Sequence, residues 1–263
     1  MQFAMVPMNL LGAGTLSTYI ITGAWSKAAA KEALRFGRVQ SAFSGSGNRI
    51  PADEELEVIP ETSYCAYCDN ETIHGIEFER VPVLKDAEAV PLVADMTSNF
   101  LTRPVDVNKF GLFYASAQKN LGIAGLAVIV LRRDLLGLAG TEVPTLLNYS
   151  VYSRTDSVPN TPPVFQLYVA NLMAQWIEAH GGVAVMDEYA RARAKIVYDA
   201  IDAMPEMYVS HVERESRSRV NAVFRLKDEA LTALFVKEAA EAGLANLAGH
   251  RACLLYTSDA ADE

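Results

Sequence analysis

Cysteine is scarce: Cys65, Cys68 and Cys253 are the only three in 263 residues. So few, so irregularly spaced, they exclude a disulfide-stapled scaffold and suit a reducing compartment. Basic blocks are absent. Lys and Arg total 23 against 32 Asp and Glu, a formal net charge of −9. Nucleic acid is therefore excluded as a partner. Any anionic small molecule must be held by local positive groups against an unfavourable overall field. Long hydrophobic runs are also missing. The longest, residues 122–131, ends at Arg132-Arg133 and is too short to cross a bilayer. The first basic side chain is Lys27, so the charged start of a secretory signal is lacking. Membrane, secreted and collagen-like classes fall away, and a cytoplasmic protein is expected. What remains is 51% hydrophobic and 21% charged, the balance of a soluble globular chain.

Strand-like and helix-like segments alternate. Residues 18–22, 63–67, 92–95, 112–115 and 126–131 read as strands, the last two apolar on both faces as in a helix-covered parallel sheet. Residues 26–36 read as a helix with Ser26 as its N-cap. Pro162 and Pro163 suit a first helical turn, and Gly181-Gly182 suit its end. A second long helix covers 185–204, a strand 220–226, and Asp228 caps a helix that Gly243 stops. This pattern predicts an α/β fold with a mostly parallel mixed sheet, followed by the start of a smaller α/β domain. The expected division is residues 1–185, 186–252 and a tail of 253–263. That tail has no period tied to what precedes it and reads as an artefact, like the translated adapter ends of fragmentary gene models.

Two residues could carry chemistry. Asp95 closes one apolar strand and Lys119 follows another. Ligands of open α/β sheets bind outside the carboxyl ends of the strands. An amine and a carboxylate there could address pyridoxal phosphate, whose aldehyde takes a lysine and whose ring nitrogen takes an aspartate. From spacing alone, a turn-capping Asp95 and a surface Lys119 explain the same residues, and more simply, because lysines are mostly exposed. Cys65-Ala66-Tyr67-Cys68 is a lone C-x-x-C without the second ligand pair zinc needs, so no metal is expected. The glycine pairs at 12–14 and 45–47 lack the third glycine of a dinucleotide fingerprint.

The wider pattern decides between these readings. The segments at 2–11, 22–26, 68–75, 94–98, 103–107, 114–122 and 160–163, with Arg217-Ser218-Arg219 and Gly249-His250-Arg251, occur in an order that resembles the phosphoserine aminotransferases. These are class V, fold-type I enzymes. Asn70-Glu71-Thr72-Ile73-His74-Gly75 and Ala117-Gln118-Lys119-Asn120 are the most specific segments, and the resemblance runs from residue 2 to about 252.

The resemblance implies a three-layer large domain with pyridoxal phosphate as cofactor. Lys119 would be the Schiff-base lysine and proton shuttle, and Asp95 the partner of the pyridinium. Trp25 would stack on the ring and Thr72 bond the ring oxygen. Gln118 would meet the cofactor phosphate. Asn160 and Thr161 would reach the phosphate of a neighbouring subunit, which implies a homodimer. His250 and Arg251 would handle the substrate phosphate. Asn160 and Thr161 also read as ordinary helix caps, Trp25 as a core residue, Thr72 as a loop residue, and Arg217 and Arg219 as surface charges. The implied reaction moves an amino group between glutamate and 3-phosphohydroxypyruvate, giving 2-oxoglutarate and O-phospho-L-serine, in serine synthesis, and the family can also serve vitamin B6 synthesis. The family's glycine-rich phosphate-gripping turn would precede Met1, and a carboxylate-binding arginine would follow residue 251. The chain therefore reads as a copy truncated at both ends, with an incomplete small domain. A non-catalytic fragment is one alternative. Another class V enzyme, such as an alanine–glyoxylate transaminase, is another. A desulfurase would need a mobile catalytic cysteine.

Overall fold

A computed structural model describes residues 1–12, 15–245, 247 and 256–257. Helix α1 (Gln2–Leu10) leads into strand β1 (Leu16–Ile21), helix α2 (Ala24–Ala33) and strand β2 (Arg38–Ser44). Then come β3 (Cys65–Cys68), the short hairpin of β4 (Asn70–Glu71) and β5 (Ile76–Glu77), β6 (Leu92–Asp95), β7 (Leu112–Ser116) and β8 (Ala127–Leu131). Six of these form one sheet in the order β2-β1-β3-β6-β7-β8. All neighbours are parallel except β7 and β8. The expected mixed, mostly parallel sheet is present.

Side chains alternate across this sheet as strand geometry requires. Tyr19, Ala66, Val93, Leu112 and Tyr114 join the core under α1 and α2. Ile20, Cys65, Tyr67, Leu92, Ala94 and Phe113 join a second core on the opposite face, with Leu56, Phe78, Leu84, Val90 and Phe110 from the connecting chain. Both faces are thus dry over β1, β3, β6 and β7, which fixes the register of these central strands.

The remainder is helical and then mixed. Helix α3 (Tyr149–Arg154) precedes α4 (Val164–Ala179) and α5 (Gly182–Ala203). Strands β9 (Tyr208–Val209) and β10 (Val223–Leu226), helix α6 (Thr232–Glu241) and β11 (Tyr256–Thr257) follow. Strand β10 lies antiparallel between β9 and β11. Ile201 and Phe224 form a small core with Val197, Tyr198, Tyr208, Phe235 and Val236. Among the described residues, no helix is long and apolar enough to cross a membrane.

Several sequence expectations change. Strand β8 is not a covered parallel strand. It is an antiparallel edge, only partly buried, with Val130 39% exposed. Ser26 is not the N-cap of α2; Gly23 is, and Ser26 sits three residues on, its Oγ accepting from the N–H groups of Thr22 and Gly23. Gly181 does end a helix, as expected: it follows His180, the C-cap of α4, in a left-handed conformation, φ +96°, and it is also the N-cap of α5. Residues 185 and 186 both lie inside α5, which runs unbroken for 22 residues. Within residues 253–263, Tyr256–Thr257 forms β11 of the three-stranded sheet.

Candidate active site

The carboxyl ends of β1, β3, β6 and β7 point to one rim of the sheet, where parallel strands place their ligands. There a cleft of about 200 Å³ is lined by Trp25, Asn70, Thr72, Asp95, Thr97, Ser98, Gln118 and Lys119, with Met1, Gln2, Phe3, Cys68, Tyr114 and Ser116. Five of the expected site residues, Trp25, Thr72, Asp95, Gln118 and Lys119, therefore meet in one cavity. Asn160 and Thr161 do not line it. Both are exposed on the chain before α4. His250 and Arg251 lie outside the described residues.

Each side chain is held by its element. Asp95 is the last residue of β6, and its Oδ1 accepts from the Thr97 N–H at 2.9 Å. The Tyr114 hydroxyl bonds the same carboxylate. Burial raises the Asp95 carboxyl above its ordinary range, while these two bonds and the nearby Lys119 charge oppose the rise. A cation brought against it would restore the anion. Lys119 stands in the turn after β7, and its Nζ donates to Thr72 Oγ1 at 2.8 Å. Thr72 opens the turn of the β4–β5 hairpin and is 1% exposed. Trp25 is the second residue of α2, directly beyond β1.

The hairpin turn explains its own glycine. Gly75 has φ +68°, and a Cβ there would lie 2.7 Å from Val223 Cγ2 and 2.9 Å from the Asn221 carbonyl. Only glycine tolerates both demands. Its neighbour Asn70 donates to Ser98 Oγ at 2.8 Å and to Asn221 Oδ1 at 2.6 Å, and accepts from Ser218 Oγ at 2.6 Å.

The donor set fits pyridoxal phosphate. An amine and a buried carboxylate share one cleft, an indole adjoins them, and the cleft reaches Met1, Gln2 and Phe3 at the N-terminus of α1. Free N–H groups at a helix start favour a phosphate, and the exposed Gln118 amide stands at the same cleft.

Sequence reading missed Gln2, Phe3, Thr97, Ser98, Tyr114 and Ser116 as lining residues. Thr97, two residues past Asp95 at the end of an apolar strand, had a signal in its position; the others had none. Cys68, read as packing, lines the cleft as well as being buried. Arg217 and Arg219 are not surface charges but nearly buried ion pairs, Arg217 with Asp202 and Arg219 with Glu77 and Asp187.

Comparisons with known proteins show the family. The profile of the family Aminotransferase class-V matches residues 1–260. The phosphoserine aminotransferase of Chromobacterium violaceum is 43% identical over 255 residues, 96% of this chain and 70% of that protein. The phosphoserine aminotransferase from Bacillus circulans subsp. alkalophilus superposes with a TM-score of 0.94 at 39% identity, covering 99% of this chain and 72% of that one. A phosphoserine aminotransferase of Trichomonas vaginalis, solved with pyridoxal phosphate bound, gives 0.90 at 36% identity, over 98% and 74%. The chain belongs to the class V aminotransferases and, within them, to the phosphoserine aminotransferases.

Proposed function

We propose that this cleft carries pyridoxal phosphate-dependent transamination between glutamate and 3-phosphohydroxypyruvate, yielding 2-oxoglutarate and O-phospho-L-serine. The observation that carries the reading is the placement of Lys119 and Asp95 in one cavity at the carboxyl rim of the sheet. When bound, the cofactor supplies an aldehyde that links covalently to amines and a cationic ring that draws electrons from the amino acid's α-carbon. Asp95 would face the ring nitrogen and keep its proton in place. Lys119 Nζ would hold the aldehyde carbon at rest. When not joined to the cofactor, the same nitrogen would take the proton from the substrate α-carbon and deliver it to the carbon that it had held. Thr72, already 2.8 Å from that nitrogen, aims it. The Trp25 indole would cover one ring face and keep water out. Gln118 and the first N–H groups of α1 would hold the phosphate.

The protein is proposed to act as a homodimer in the cytoplasm. Asn160 and Thr161 would serve the partner's phosphate, a role supported by their exposure outside their own cleft. The apolar face of α4 beside them, with Phe165 66%, Tyr168 57% and Trp176 48% exposed, supports a covered surface there. Two buried free thiols, Cys65 and Cys68, suit a reducing compartment.

The test is chemical. The chain is loaded with pyridoxal phosphate, reduced with borohydride and digested, and the labelled residue is mapped. Label is expected on Lys119 and is expected to vanish in Lys119→Ala; label elsewhere, or surviving that change, refutes the assignment. Transamination of glutamate with 3-phosphohydroxypyruvate is then followed, and 2-oxoglutarate formation should depend on Lys119.

A further inference from the structure

Glu71 is fully buried, at 0% exposure, and does not line the cleft. Its carboxylate lies at the start of α2. Oε2 accepts from the Trp25 N–H at 2.8 Å, and Oε1 accepts from the Ser26 N–H at 2.8 Å and Ser26 Oγ at 2.5 Å. His74 Nδ1 accepts from the Ala24 N–H at 3.4 Å. These are first-turn donors that a helix cannot satisfy internally. The N-cap is Gly23, which has no side chain, and the first turn contains no acidic residue. The cap is therefore supplied from the β4–β5 hairpin, across 46 positions of sequence. Gly23 leaves the room: a Cβ there would lie 2.7 Å from Glu71 Cδ and 2.8 Å from His74 Nδ1. An anion also suits the positive end of the helix.

The next residue, Thr72, accepts from Lys119 Nζ. One dipeptide thus grips the base of Trp25 with one side chain and Lys119 with the next. We propose that Glu71 is a positioning residue for the reaction, fixing the Trp25 indole relative to Lys119 by anchoring the N-terminus of α2 to the same turn that aims the lysine. This rests on the reading of the cleft as a pyridoxal phosphate site. A plain helix cap would affect stability alone; this one sets the distance between two walls of the cleft.

The test separates the two. The chain has two tryptophans, Trp25 and the half-exposed Trp176. In a Trp176→Phe background, Trp25 emission and acrylamide quenching are recorded without cofactor, and pyridoxal phosphate affinity is titrated by absorbance. Glu71→Ala and Gly23→Ala should shift the emission to the red, raise the quenching and weaken cofactor binding about tenfold, the loss of hydrogen bonds to a charged group. Glu71→Gln keeps one acceptor oxygen and should fall between them and the parent. Ile201→Ala, which cuts into the small core of the C-terminal part, should lower stability and leave both readouts alone. If Glu71→Ala does not fold, Gly23→Ala and Glu71→Gln decide. Either readout standing still in folded variants overturns the proposal. A parent chain that fails to label at Lys119 sinks the reading of the cleft instead, and the cofactor-free emission then decides the role of Glu71 alone.

Discussion

Asp95 shows what a site residue costs. Its carboxyl is raised by burial from an ordinary value of 3.8. Above that value and up to its own higher one, the folded state binds more protons than the unfolded state, so stability falls as pH rises through the window. The Asp95→Asn chain lacks this loss. Without cofactor, its thermal midpoint relative to the parent should therefore be higher at neutral pH than below pH 3.8. Loaded with cofactor, it should turn over about a hundredfold more slowly, because it offers no charge to the ring nitrogen. A midpoint difference that stays flat with pH would contradict the burial argument. Asp95 and Lys119 stand out in the sequence because one closes an apolar strand and the other follows one, but the family resemblance was needed to prefer them over a turn cap and a surface lysine. Their shared cavity could not, since strand order and side-chain reach are absent from a linear text.

At the scale of elements, α2 depends on contacts that its own sequence only half contains. Ser26 Oγ accepts from two N–H groups, those of Thr22 and Gly23, and donates to Glu71. Ser26→Ala leaves both backbone donors unpaired, one of them on buried Thr22. We expect a cost of about 1–3 kcal/mol, read from urea unfolding; a change under about 0.5 kcal/mol would show that water replaces the hydroxyl. The serine was visible as a cap signal, but its position was misread, because Gly23 takes the N-cap and the acidic partner lies in another element. Strands β6 and β7 were legible as apolar runs. The direction of β8 was not, because hydrophobic patterning reports burial and says nothing of whether a neighbour runs parallel or antiparallel.

Across the whole molecule, charges tie the C-terminal part to the sheet. Arg219 donates to Glu77 Oε1 at 2.9 Å and to Asp187 Oδ1 at 2.6 Å, with its side chain 11% exposed and that of Glu77 2%. Removing Arg219 leaves a buried carboxylate without its counter-ion, a change that typically costs about 3–5 kcal/mol. Arg219→Ala should therefore lower the urea midpoint strongly and raise hydrogen exchange in α5 and β10. Lys195→Ala, which removes a pair with side chains 72% and 63% exposed, should cost less than about 1 kcal/mol. Equal losses in the two variants would mean that burial does not govern these pairs. Both arginines looked like surface charges in the sequence, because their carboxylate partners stand 15 to 142 positions away.

The sequence by itself determined the class of the sheet and the apolar runs that bury its central strands, since periodicity is a local property, while its chemistry-bearing motifs were legible through their resemblance to the phosphoserine aminotransferases. Only the tertiary structure decided that Trp25, Thr72, Asp95, Gln118 and Lys119 share one cleft, that β8 closes the sheet antiparallel and that Glu71 caps a distant helix. Those facts rest on through-space packing of separate segments, and burial and hydrogen bonding act on whatever folding brings within a few ångströms.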